Sequence, residues 1–212
     1  MLKNYITDKN GVIKQIDVKN ITYDNSYILN SYSKYGELTN YISYLRYGYL
    51  IGTIEKIPET ILDFGYGNGS FLNILKQTIP NCYGYDIGEF DVPDNCKRIN
   101  NIFSKHFDVI TFFDSLEHVN DIYFLSKLDC NYIMISVPEC HYFSDDWFYN
   151  WKHRRENEHI WHFSKQSLIN FMSYEGYELL RIGNIEDIIR KPIDTNTNII
   201  TGIFKKSYDR YN

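Results

Sequence analysis

The chain has 212 residues, of which 43% are hydrophobic and 23% are charged, a composition typical of a folded domain with a substantial core. The net charge of −5 argues against a general nucleic-acid-binding surface, and no apolar run is long enough to cross a bilayer. The four cysteines form no CxxC pair and the first residues lack the apolar core of a signal peptide. A cytoplasmic protein without a disulfide framework or zinc knuckle is therefore expected.

Strand-like and helix-like segments alternate along most of the chain. The first twenty residues predict a short hairpin or arm, and a helix over 41–54 is predicted to end before Pro58. Strands are predicted over 60–63, 82–86, 107–113, 132–137, 177–183 and 199–204. Helices are predicted over 69–77, near 119–127 and from Lys165 to Gly176, the last N-capped by Ser164. This alternation favours an α/β fold with an open, doubly wound sheet.

A glycine-rich turn, DFGYGNG over 63–69, follows the first of these core strands, where ligands of such sheets bind. Its third glycine comes one position too early for the dinucleotide fingerprint. Asp63 would repel a pyrophosphate but attract a positively charged ligand such as S-adenosylmethionine, which carries an ammonium and a sulfonium. At ~4 Å and an effective dielectric constant of about 20, one such contact is of the order of 4 kcal/mol before desolvation. Because this contact is attractive for S-adenosylmethionine and repulsive for a pyrophosphate, it favours the first ligand over the second.

Two further acidic strand ends follow at suitable places. Asp86 comes 23 residues after Asp63, at the tip of the next predicted strand, where a carboxylate can accept hydrogen bonds from both ribose hydroxyls. Ile87 beside it could cover one face of the adenine. The segment FDVITFFDSLEHV, over 107–119, brings more polar side chains to the same edge of the sheet: Asp114, Ser115, Glu117 and His118.

In this order, DFGYGNG, YDIG, FDVITFFDSLEHV and YIMISVPE resemble the class I S-adenosylmethionine-dependent methyltransferases, and most of all the small-molecule enzymes with an LEHV motif. The resemblance covers roughly residues 57–205. It implies a Rossmann-like, seven-stranded, mostly parallel sheet with an antiparallel last strand and helices on both faces. It also implies a cofactor-binding domain over 58–206, preceded by an N-terminal arm and helical cap over 1–57. That arm could cover the active site or pack against a second subunit in a homodimer.

Carried over by position, the resemblance assigns cofactor contacts to particular residues. Asp63, Gly65 and Gly67 would line the methionine part of S-adenosylmethionine, and Asp86 would hold the ribose. The fourth strand would contribute Phe113, Asp114 and Ser115. No acidic partner for the adenine amino group stands between Asp86 and Phe107, so Asn100 or Asn101 could take that role.

Methyl transfer to a hydroxyl also needs a base. His118 is the first candidate for it, although this histidine could instead orient Glu117 or the loop backbone; His159 is the alternative base. By the same resemblance Asp114 with Glu117 could hold a divalent cation, but two carboxylates without further ligands are too few, and no metal is predicted.

The segment WFYNWKHRRENEHIWHFSK, over 147–165, is predicted to overhang the cofactor and form the acceptor site. Trp147 would supply an apolar wall, Arg154 or Arg155 would grip a phosphate or carboxylate, and His162 would line the site. The alternative is that the tryptophans pack the loop down while its charges pair in solvent. A zinc site of His153, His159 and His162 lacks a fixed fourth ligand and is not expected.

These features predict an enzyme that moves a methyl group from S-adenosylmethionine to a small-molecule or saccharide acceptor, at oxygen rather than nitrogen. One alternative is a nucleic-acid methyltransferase. The acidic net charge argues against it, and VPEC stands where an Asn-Pro-Pro-Tyr-like tetrapeptide would hold a flipped base. The other alternative is a catalytically silent cofactor-binding module.

Overall fold

The computed structural model describes residues 2–19, 36–192 and 195–207. The elements are, in chain order, β1 (Tyr5–Thr7), β2 (Ile13–Gln15), α1 (Leu38–Ile54), β3 (Thr60–Phe64), α2 (Ser70–Leu75), β4 (Asn81–Tyr85), β5 (Cys96–Arg98), β6 (Phe107–Phe113), β7 (Cys130–Pro138), α3 (Asp145–Asn150), β8 (Trp161–His162), α4 (Lys165–Tyr174), β9 (Tyr177–Gly183) and β10 (Ile199–Lys206). Short 3₁₀ turns occupy Leu116–His118, Leu125–Lys127 and Ile185–Ile188.

Seven of these strands form one sheet in the order β5-β4-β3-β6-β7-β10-β9. Along this order, the neighbouring strands β5, β4, β3, β6 and β7 pair in parallel. β10, the last strand of the described chain, runs antiparallel to both β7 and β9. The predicted fold class, a seven-stranded, mostly parallel sheet with an antiparallel last strand, is confirmed.

The central strands are apolar on both faces because helices cover both. Ile61 and Val109 point to the side where Leu50 of α1 and Leu72 of α2 pack. Their neighbours in sequence point to the other side, where α4 packs; this second cluster includes Leu62, Ile110, Leu168 and Phe171. Continuous burial along β3 and β6 is what a sheet between two helical layers requires.

The helix predicted near 119–127 is wrong, because the described chain has only 3₁₀ turns in this region. The side chain of Asp121 accepts the amide N–H of Tyr123 at 2.9 Å, a local bond that competes with helical pairing. Leu125, in the 3₁₀ turn Leu125–Lys127, is buried together with Ile122 and Leu128, which lie just before and just after that turn.

A second, three-stranded sheet joins the N-terminal hairpin to a distant segment. Its order is β1-β2-β8, with antiparallel pairing throughout. The side-chain amide of Gln15 donates to Oδ1 of Asn157 at 3.0 Å, and the backbone N–H of Asn157 donates back to Oε1 of Gln15 at 2.8 Å. The hairpin therefore anchors the segment between α3 and β8. In the part of the chain that the structure covers, no helix has the length and apolar character to span a bilayer.

Candidate active site

A cavity of about 810 Å³ lies at the carboxyl ends of β3, β4 and β6. One wall consists of the ends of these strands and the turns that follow them. The opposite wall comes from α1, from Val18 and Lys19 after the hairpin, and from the segment between α3 and β8. The predicted site residues that line this cavity are Asp63, Gly65, Gly67, Asp86, Ile87, Phe113, Asp114, Ser115, His118, Arg155 and His159.

The glycine turn is held by a backbone hydrogen bond, and the side chain of Ser115 leaves no room for a Cβ at its first glycine. Gly65 has φ of +77°, and its N–H donates to the carbonyl of Tyr85 at 2.7 Å. A Cβ on Gly65 would lie 2.6 Å from the Cβ of Ser115. The hydroxyl of Ser115 in turn donates to the carbonyl of Phe64 at 2.9 Å. The turn therefore brings bare backbone to the cavity, as a closely approaching ligand requires.

Asp63 is buried beneath this turn with 3% of its surface exposed, and it still reaches the cavity wall. Burial raises the pKa of its carboxyl to about 6, although the hydroxyl of Thr111, 2.7 Å away, and the charge of Arg46 work in the opposite direction. A carboxylate that burial makes costly to ionise gains from a cationic ligand.

Asp86 bridges the glycine turn and the loop after β4. Its two carboxylate oxygens accept the N–H groups of Gly67 at 2.9 Å and of Gly88 at 2.8 Å. Each oxygen retains a further lone pair for a ligand hydroxyl. Ile87 beside it lies at the rim of the cavity, with 71% of its surface exposed.

Asp114, whose side chain is 37% exposed, belongs to a group of four charges that sequence reasoning missed. Both carboxylate oxygens accept bonds from Arg190, at 2.8 and 2.9 Å, and Oδ2 also accepts from Arg46 at 3.1 Å. Arg46 and Arg190 bond as well to Glu186, which is fully buried. Burial alone would raise the pKa of Asp114, but the two guanidinium groups outweigh it and hold this pKa well below its usual range.

These four charges fix the end of β6 next to the cavity. Asp114 has φ of +48°, an uncommon conformation for aspartate, and the Arg46 guanidinium lies 4.2 Å from the ring centre of Phe113. Since the carboxylate of Asp114 is occupied by two arginines, its contribution to a bound ligand would come from the backbone rather than from the side chain.

The loop after β4 is also pinned by an arginine that the sequence analysis overlooked. Arg98 donates to the carbonyls of Asp86 at 3.0 Å, Gly88 at 2.7 Å and Phe90 at 3.1 Å. Arg98 lies on β5, a strand too short and polar to show a strand pattern. By contrast, Asn100 and Asn101, considered for the adenine amino group, lie outside the described cavity wall.

His118 and His159 meet at the cavity wall. Their ring centres are 4.7 Å apart with an interplanar angle of 84°. Burial is the main cause that lowers the pKa of both rings below the ordinary histidine value, so both are neutral near pH 7. Glu117 lies beside them, with its Oε1 atom 3.9 Å from Nε2 of His118.

Three residues predicted to bind the acceptor are placed elsewhere. Trp147 stacks on Trp151 beside a smaller cavity of about 380 Å³. The Arg154 guanidinium donates to the hydroxyl of Tyr5 at 3.2 Å. His162 is buried on β8, where its ring packs edge-on against Phe148. Arg155 does reach the main cavity, and it bonds to Glu158 at 2.7 Å.

The comparisons with known proteins agree with this architecture. A family model described as a methyltransferase domain matches residues 45–182, well over half of the chain. The chain therefore belongs to this family, and it is an S-adenosylmethionine-dependent methyltransferase. No curated protein sequence matches the chain significantly.

Solved structures share the fold at low sequence identity. A chain from the complex between the Haloferax volcanii Trm112 methyltransferase activator and a methyltransferase aligns with a TM-score of 0.61 at 13% identity, covering 89% of this chain and 100% of that one. The Burkholderia thailandensis 1,6-didemethyltoxoflavin-N1-methyltransferase, solved with 1,6-didemethyltoxoflavin and S-adenosylhomocysteine, aligns with a TM-score of 0.57 at 11% identity, covering 97% and 100%. The magnesium protoporphyrin IX methyltransferase of Synechocystis PCC 6803 aligns with a TM-score of 0.55 at 12% identity, covering 89% and 90%.

Proposed function

We propose that this methyltransferase transfers its methyl group to a hydroxyl oxygen of a small-molecule or saccharide acceptor. Asp63, Gly65 and Gly67 would hold the methionine part of the cofactor, and Asp86 with Ile87 would hold its nucleoside. The backbone of residues 113–115 would complete this half of the cavity. The fit is supported by the buried carboxyl of Asp63, which a cationic ligand would compensate.

The size of the cavity favours a small acceptor. Ligand pockets commonly have volumes of ~300–1,000 Å³, so about 810 Å³ can hold one nucleoside cofactor and a compact second molecule. The cofactor supplies an activated methyl group on a sulfonium, which leaves as a neutral thioether. The protein's own task is to exclude water, align the acceptor and remove its proton.

The observation that carries the choice of oxygen is the pair of neutral histidines at the wall. His118 and His159 both line the cavity, and both have lowered pKa values. An amine arriving neutral can attack without a base, whereas a hydroxyl must lose its proton. Two uncharged imidazoles facing the cavity suit the second task.

The test is methyl transfer from labelled S-adenosylmethionine to matched panels of hydroxyl and amine acceptors, with phenols, monosaccharides and an RNA oligonucleotide included. We expect turnover with hydroxyl acceptors. His118→Gln and His159→Gln should each lower kcat by at least about 100-fold while binding S-adenosylhomocysteine normally. His106→Gln, at an exposed histidine paired with Asp129, should behave as wild type. Transfer to amines or RNA alone, or full turnover in both histidine variants, would overturn the proposal.

The affinity for S-adenosylhomocysteine should depend on pH through Asp63. In the free protein the pKa of this carboxyl is raised to about 6, so below that pH it carries a proton that the ligand's ammonium must expel. Affinity should then be level above about pH 7 and fall by up to about tenfold per pH unit below pH 6. Calorimetric titrations between about pH 5 and pH 7.5 measure this dependence.

Two variants make this result specific. Asp63→Asn should bind more weakly at neutral pH and lose the pH dependence, whereas Asp86→Asn should bind more weakly at every pH but keep it. Equal affinity of the wild-type protein across the whole range would show that Asp63 does not meet the cationic end of the ligand.

A further inference from the structure

Three metal-ligating groups converge where the cavity wall meets the core. Glu117 and His118 lie on the 3₁₀ turn after β6, and His159 lies in the segment before β8. One donor atom from each lies within 4.8 Å of the others. Within the described part of the chain, no other three or more histidine, cysteine, aspartate or glutamate residues come together in this way. Two imidazoles and one carboxylate match the preference of zinc, manganese and iron ions.

The carboxyl of Glu117 is the second, independent observation. Only 1% of this residue is exposed, and neither carboxylate oxygen has a hydrogen-bond partner. Leaving a buried polar group unsatisfied is costly, and native proteins seldom tolerate it without a reason. A cation bound between Glu117 and the two histidines would give one or both of these carboxylate oxygens a partner.

The backbone holds the three groups together before any ligand arrives. The carbonyl of Glu117 accepts the N–H of Ile160 at 2.8 Å, which ties the 3₁₀ turn to the residue next to His159. The ring of His118 also hydrogen-bonds to the backbone of Glu158, an outer contact of the kind that orients ligating histidines.

We propose that Glu117, His118 and His159 bind a divalent transition-metal cation whose open coordination positions face the cavity. His118 and His159 line that cavity, so the cation would meet the acceptor there. The role of the cation rests on the proposed function. It would lower the pKa of the acceptor hydroxyl, and the histidines would then promote loss of the proton as ligands rather than as bases.

The methyl transfer that follows is balanced without a further reagent. The acceptor O–H gives its proton to water, and its oxygen forms the new bond to the methyl carbon. The electron pair of the carbon–sulfur bond remains on sulfur, so the sulfonium becomes the neutral thioether of S-adenosylhomocysteine.

Metal binding is tested directly, without an acceptor. The full chain is treated with a chelator, freed of it and titrated with Co²⁺, whose visible absorption reports imidazole and carboxylate ligation, and with Zn²⁺ by calorimetry. We expect a single cation per chain. Glu117→Gln and His159→Gln should each weaken binding by at least about tenfold. His153→Gln, at a cavity-wall histidine that bonds Asn198 at 2.8 Å instead, should bind Co²⁺ as wild type does.

The outcomes separate this inference from the proposed function. S-Adenosylhomocysteine affinity, measured on the same metal-free variants, shows whether each one is folded. Absence of stoichiometric Co²⁺ binding to the wild type, or unchanged affinity in Glu117→Gln, would overturn the metal site. Hydroxyl methylation that survives chelation at full rate would also overturn it while leaving the proposed function intact, with the histidines acting as bases.

Discussion

Arg46→Met is expected to lower the free energy of unfolding by on the order of 3–5 kcal/mol. The guanidinium of Arg46 is 9% exposed and donates to Glu186, which is fully buried, at 2.7 and 3.0 Å. Its removal leaves the buried carboxylate with Arg190 as its remaining cationic partner in this group. For a chain of this size, such a loss corresponds to a fall in Tm of roughly 10 °C or more. Thermal and denaturant unfolding measure both quantities.

Two further variants test the mechanism of that loss. Arg46→Met combined with Glu186→Leu removes both charges and should recover much of the stability, because no unpaired charge is left buried. Asp129→Asn, which breaks an exposed pair with His106, should leave unfolding unchanged. A single Arg46→Met variant as stable as wild type would mean that Arg46 contributes nothing net to the fold.

Gly65→Ala is expected to abolish measurable binding of S-adenosylhomocysteine and to destabilise the protein by about 2–5 kcal/mol. The added Cβ would meet the Cβ of Ser115 at 2.6 Å, and φ of +77° is unfavourable for alanine. To relieve this clash, the turn would have to move away from β6. The backbone that the ligand would contact would then shift with it. Calorimetric titration and chemical unfolding measure the two effects.

Gly48→Ala is the matched control for this change. Gly48 lies in α1, and nothing lies within 4 Å of the Cβ that alanine would add there. Alanine should stabilise that helix by about 0.5–1 kcal/mol without altering ligand binding. If Gly65→Ala and Gly48→Ala behaved alike, the close approach at the turn would have no consequence for the site.

The parts of the site that depend on neighbouring residues could be predicted from the sequence. Asp63 and Gly65 form one strand-to-helix turn, and Asp86 ends the next parallel strand, so sheet topology alone brings them to one edge. The strand over 107–113 could be predicted from its composition, since its seven residues form an apolar run with little polar interruption.

The remaining parts depend on contacts between distant positions. Arg46 bonds to Asp114 and Glu186 across separations of 68 and 140 residues, and nothing local in α1 marks this arginine for burial. The meeting of His118 with His159 likewise needs the fold of the segment before β8. The zinc site weighed from sequence spacing grouped His159 with His162, whereas the ring of His162 packs against Phe148.

The pairing of Gln15 with Asn157 has a consequence for the order of events during translation. The two residues are 142 positions apart, so at about 5–20 residues per second the hairpin waits about 7–30 s for its partner to be synthesised. By then β3, β4 and β6, whose carboxyl ends form the other wall of the cavity, have been synthesised. A nascent chain halted before Asn157 would lack the part of the opposite wall that includes His159, so the enzyme can acquire activity only late in its synthesis.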